Sequence, residues 1–159
     1  MVNRMCPAPT RCFAMAKAEP GGGHPDADLL VQGARGCVGV AFRPQGRGIA
    51  GFDCLGVVLA AASFAGIRLA ARRDYSLGAC DLDDVLQSLI KQGCRRLEPE
   101  KGCNGDMLLA TPALGQVHFA ILTNQGLVEA HAGLRRVVER PLKPDDVWHS
   151  YWRMPVGDY

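Results

Sequence analysis

The stretch Gly51-Phe52-Asp53-Cys54-Leu55-Gly56-Val57-Val58 decides how this chain is read. One cysteine stands directly after a glycine-rich loop (Gly46, Gly48, Gly51) and directly before an apolar run, Leu55 to Ile67. The run reads as a helix buried on most of its surface. Cys54 then lies at or near a helix N-terminus, where unpaired backbone N–H groups and the helix dipole favour a thiolate. A thiolate is a nucleophile, whereas a thiol is a poor one. Asp53 reads as a helix cap or first-turn carboxylate and not as an acid catalyst.

A cysteine nucleophile needs a base to take its proton and return it to a leaving amine, and a third group to orient that base. His118, in Val117-His118-Phe119-Ala120-Ile121-Leu122, is the candidate base. An isolated histidine on a strand is more often structural, and the cysteine at a helix start argues the other way here. Asn124-Gln125-Gly126 has hairpin-turn chemistry, so the third group is expected on the next strand. Glu129 and His131 share one face of that strand. They face the side of His118 when the hairpin loop holds an even number of residues. A two-residue turn at Asn124-Gln125 sets His131 directly opposite His118 and Glu129 on the diagonal, both within reach. Parity does not choose between them.

The remaining composition narrows the function classes. The chain has 159 residues, 48% hydrophobic and 21% charged, with a formal net charge of +2. That suits one soluble domain with one core. The charge is too small and too dispersed for nucleic acid, and no basic stripe is interleaved with aromatics. The seven cysteines include no C-x-x-C pair, so no metal or other cofactor is expected, and their scatter fits synthesis in a reducing cytoplasm. Prolines, Arg11 and Lys17 interrupt the first twenty residues, which do not read as an export signal, and no apolar run is long enough to span a bilayer.

Residues 1–25, rich in proline and glycine, read as a disordered leader, with Met5 and Met15 as alternative starts. Residues 26–159 read as a single domain. Asp26 or Asp28 caps a short helix carrying Leu29, Leu30 and Val31. Gly36 to Gly51 is a loop with an extended piece at Val38 to Phe42. The Cys54 helix ends near Gly66, and Asp81 to Asp84 open a further helix that runs through Gln92 to a stop at Gly93. Strands are expected at Gly105–Thr111, Val117–Thr123, Leu127–His131, Arg135–Glu139 and Ser150–Met154. Helices first and an antiparallel sheet after is an α+β layout. Trp148, Tyr151 and Trp152 are expected to close the sheet, with anchoring a partner as the alternative.

Four segments carry a family resemblance. Gly51 to Val58 resembles the D-C-[SLV]-G-[LV] nucleophile motif of the NlpC-type cell-wall cysteine peptidases, a papain-like group. Gly105-Asp106-Met107-Leu108-Leu109 resembles their G-D-[LV]-[LV]-x strand. Val117 to Leu122 resembles the H-[VL]-[GA]-I strand of the catalytic histidine, and Leu127 to Gly133 the F-[IV]-H-A strand after it. Their order and spacing match over roughly residues 29–154. The continuation to Arg135-Arg136-Val137-Val138-Glu139 is similar to the phage-tail and gene-transfer-agent branch.

The resemblance implies a papain-like fold and hydrolysis of amide bonds in peptidoglycan stem peptides, typically between D-glutamate and a diamino acid. It implies Cys54 as nucleophile and His118 as base, and phage-like tail proteins as partners that deliver the enzyme to the wall. Two positions depart from the family pattern. Glu129 falls where the family usually has histidine, with His131 following after Ala130. Phe42 stands where a tyrosine often helps the oxyanion site, so oxyanion stabilisation leans on backbone N–H groups near Cys54. A non-catalytic tail component, or a different papain-like chemistry on a lipid or small molecule, are the alternative expectations.

Overall fold

The structure, a computed structural model, describes residues 23–71 and 81–157. Most of the expected leader lies outside these residues. His24, within its last part, is buried: its Nδ1 accepts from the Asp26 N–H, and its Nε2 faces the carbonyl oxygens of Met154 (3.0 Å) and Pro155 (3.1 Å).

Among the described residues, three α-helices and a six-stranded antiparallel sheet make up the α+β frame. Helix α1 spans Ala27–Arg35 and turns Leu30, Val31 and Ala34 inward. Asp26 stands at its cap position without a side-chain cap bond; its carboxylate accepts from the Gly157 N–H instead. Helix α2, Cys54–Phe64, is apolar nearly all round and lies in the core, as its composition requires. The two helices approach closely at Gly33, where a Cβ would come within 2.7 Å of the Phe64 Cβ. Gly66, at φ 71°, follows α2 in the left-handed region that glycine adopts without penalty. Helix α3, Leu82–Lys91, is capped by Asp81, whose carboxylate accepts from the Asp83 N–H.

The loop expected between Gly36 and Gly51 contains the two-residue strand β1 (Arg47–Gly48), which pairs with β2 (Gly51–Phe52). The extended piece before it is tied down by single bridges, Ala41 to Arg136 and Phe42 to Phe52. Strands β4 (Met107–Ala110), β5 (His118–Thr123), β6 (Gly126–His131), β7 (Arg136–Arg140) and β8 (Ser150–Arg153) coincide with the expected strands to within two residues at each end. Strand β3, Arg95–Leu97, was not expected. It is a short edge strand with two exposed arginines, which carry no alternating pattern to read. The order across the sheet is β3-β8-β4-β5-β6-β7.

Strand alternation divides the sheet into two faces. Met107, Leu109, Phe119, Ile121, Val128, Ala130, Val137 and Trp152 pack with α1 and α2 in the main core. Each such buried aliphatic side chain is worth about 1.5–3 kcal/mol against exposure. Leu108, Ala120, Leu122 and Leu127 form a second cluster on the far face, covered by Leu142, Trp148 and Tyr151. Trp152 closes the sheet as expected, with its indole N–H donating to Ser150 Oγ at 2.8 Å.

Candidate active site

The site forms where the start of α2 meets the start of β5. Asp53 sets the first part. Its Oδ1 accepts from the Gly56 N–H at 2.7 Å and so caps α2, as the sequence predicts. It also takes the Gln45 N–H at 3.0 Å and Arg47 Nη1 at 2.6 Å, which satisfies a fully buried carboxylate. Gly56 has no room for a side chain: a Cβ there would lie 2.2 Å from the Gly46 carbonyl oxygen. Cap and glycine contact together lock the loop against the helix and leave Cys54 as the first helical residue, 5% exposed.

The Cys54 Sγ lies 3.9 Å from the carbonyl oxygen of Val117, the residue before His118, and the thiol is near enough to influence the His118 ring. His118 Nε2 is 2.6 Å from Glu129 Oε2, which leaves Nδ1 for the sulfur. Burial works against charge on this ring. Hydrogen bonds to Cys54 and Glu129, and their negative charge, outweigh burial and raise the His118 pKa from 6.5 to about 9. Burial would push the Glu129 carboxyl up, but hydrogen bonds from His118 and Arg140 hold it below its ordinary value. The pair is therefore an imidazolium beside a carboxylate at neutral pH.

Of the two candidates for the third group, the structure brings Glu129 and not His131 to His118. Glu129 is 3% exposed, and its second oxygen accepts from Arg140 Nε at 2.5 Å. His131 is used locally. Its Nδ1 accepts from the Leu134 N–H at 3.1 Å inside the β6–β7 turn. The hairpin turn does hold two residues, since Thr123 pairs with Gly126. The choice is made by that β6–β7 turn on one side and by Arg140 on the other.

Two neighbours escaped the sequence reading. Arg140 pairs with Leu127 across β6–β7, one diagonal step from Glu129. The expected strand stops at Glu139, one residue short of Arg140, and only the register reveals its target. Trp148 stacks on the His118 ring with centroids 5.8 Å apart and planes at 26°. It was expected to close the sheet, and it covers the imidazole as well. Its buried Nε1 has no hydrogen-bond partner among the described residues. A tryptophan in a polar, proline-containing loop was the one available signal. Glu139, part of the branch-like V-V-E run, is not in the site. It takes a bidentate grip from Arg35 and a hydrogen bond from Thr123, fastening α1 to β7.

The arrangement places a thiol, an imidazole and a carboxylate in sequence, the three group types that cysteine nucleophile chemistry uses. Among the described residues, no cluster of three or more histidine, cysteine or acidic side chains is placed to hold a metal.

No protein-family model matches the chain, and no curated protein matches it either. Among solved structures it is similar to RipD from Mycobacterium tuberculosis, with a TM-score of 0.57 and 21% identity over 82% of this chain and 97% of that one. RipD is described as a non-catalytic NlpC/p60 domain protein adapted to peptidoglycan binding. At this identity the likeness concerns the fold: the chain has an NlpC/p60-like α+β fold.

Proposed function

We propose that the chain is a papain-like cysteine peptidase that hydrolyses amide bonds in peptidoglycan stem peptides, at the bond between D-glutamate and a diamino acid. The observation that carries the reading is the place of Cys54, first residue of α2, with its Sγ 3.9 Å from the carbonyl of Val117 and so beside His118, whose Nε2 is 2.6 Å from Glu129. In this reading the Cys54 sulfur attacks the scissile carbonyl while His118 holds the thiol proton. His118 then delivers that proton to the departing amine, leaving an acyl-enzyme thioester. His118 next takes a proton from water, whose oxygen attacks the thioester and frees Cys54. Glu129 keeps the imidazolium stable and aimed throughout. Backbone N–H groups opening α2 serve the oxyanion. Phe42 brings no hydroxyl, and one missing donor costs on the order of 10²-fold in rate, so slow turnover is expected.

The substrate class is supported by the motif resemblance and by the NlpC/p60-like fold. The likeness of residues 127–139 to the phage-tail branch supports delivery to the wall by a phage-like particle. A second reading, a non-catalytic peptidoglycan-binding tail component, is favoured by Phe42 and by the description of RipD as non-catalytic.

A muropeptide digest separates the two. Wild type and Cys54→Ala are incubated with diamino-acid-type peptidoglycan and the products weighed by mass spectrometry. Fragments released by the wild type alone establish the peptidase and identify the bond. A folded wild type that binds the polymer and releases nothing establishes the binding component.

A further inference from the structure

A glutamate at the orienting position presents a problem that a neutral side chain does not. It is nearly fully buried, it carries a charge, and its two oxygens allow several ways of meeting the ring. Arg140 addresses both difficulties. Its Nε takes Glu129 Oε1 at 2.5 Å, which leaves Oε2 for His118 Nε2 at 2.6 Å. The guanidinium is itself held from behind: Nη1 and Nη2 reach the two Asp146 oxygens at 2.7 and 3.1 Å, and Nη1 also donates to the Pro141 carbonyl. Asp146 in turn accepts the Lys143 N–H at 2.8 Å. A planar fork gripped at both ends cannot rotate, so the carboxylate it holds cannot rotate either.

We infer that Arg140, anchored by Asp146, is the positioning residue that lets a glutamate orient His118. This rests on the reading of Cys54 and His118 as the reacting pair. Among the described residues, the groups gathered around His118 are Cys54 from α2, Glu129 from β6 and Trp148 from the segment joining β7 to β8, with Arg140 from β7 and Asp146 from that segment behind Glu129. Arg140 is, among the described residues, the cation that pairs with Glu129 besides the imidazolium itself. Removing it raises the pKa of each acid around it, and the cluster titrates as a unit.

The test needs no peptidase substrate. Full-length wild type, Arg140→Gln and Arg140→Lys are alkylated with iodoacetamide across an acid-to-alkaline pH series, and modification of Cys54 is followed by peptide mass spectrometry. For Arg140→Gln the acid limb of the alkylation profile moves up, because Glu129 loses the cation that holds its carboxyl down. Arg140→Lys keeps the charge and returns the limb to the wild-type position. Its single ammonium cannot grip Glu129 and Asp146 together, so the plateau rate falls several-fold. If Arg140→Gln does not fold, that plateau loss in Arg140→Lys carries the test. A folded Arg140→Gln with the wild-type limb, or a folded Arg140→Lys with the wild-type plateau, overturns the inference. A shifted profile in a protein that releases no stem-peptide fragments overturns the peptidase reading and leaves the role of Arg140 standing.

Discussion

The two halves of the candidate site are built on different principles. The helix half is local: Gly46, Asp53, Cys54 and Gly56 lie within one short segment, fastened by a cap bond and a backbone contact too tight for any side chain. The sheet half is gathered from afar: His118, Glu129, Arg140, Asp146 and Trp148 come from three strands and a connecting loop, joined by alternating charges and one stacked ring. Steric fit governs the first and electrostatic balance the second. The halves should therefore fail in different ways, one without regard to pH and the other through pH.

The largest effect is expected from the helix half. Gly56→Ala forces a Cβ into the Gly46 carbonyl and toward the Asp53 carboxylate. It should destabilise the protein by about 1–3 kcal/mol or more and lower activity equally at every pH. Urea melts and a pH–rate profile check both points, and a fully stable, active variant would show that the loop is not locked.

A smaller effect, opposite in character, is expected from Glu129→Gln, which keeps the shape and removes the charge. Stem-peptide hydrolysis should fall about 10²-fold. The alkaline limb should move down from near 9 toward 6.5, since Glu129 helps hold the His118 proton. Stability follows the same group. A histidine whose pKa is raised on folding contributes fully below its unfolded value of 6.5 and loses that contribution as pH rises through about 9. The wild-type urea midpoint should fall across that window, and the Glu129→Gln midpoint should fall less, since Cys54 still acts on His118. His131→Ala is the matched control. It removes a turn contact and should leave the pH–rate profile in place.

The smallest effect is expected from Trp148→Ala. An aromatic face over a partly exposed cation is worth about 0.5–1 kcal/mol, so kcat/KM should drop by a factor of a few. A kcat/KM identical to the wild type would reduce Trp148 to packing on the second core cluster.

How much of this was legible beforehand follows the same division. The place of Cys54, its cap and its helix could be read because the signals are contiguous. An aspartate before a cysteine, a glycine after it and an apolar run beyond fix the backbone within a few residues. The five main strands were legible from alternation, and the hairpin turn from its own chemistry. The edge strand at Arg95–Leu97 was not, because two exposed arginines at a sheet edge carry no periodicity. Period-2 alternation put Glu129 and His131 on one face and could go no further.

The sequence by itself therefore determined an α+β chain with a cysteine at a helix start, a histidine on a strand, and two possible partners for that histidine. Only the tertiary structure decided between them. The β6–β7 turn occupies His131, and the register of β7 brings Arg140 diagonally onto Glu129. The same packing folds Trp148 over the imidazole. Register and loop path are set by the sum of weak contacts over the whole sheet, and no short stretch of residues contains that sum.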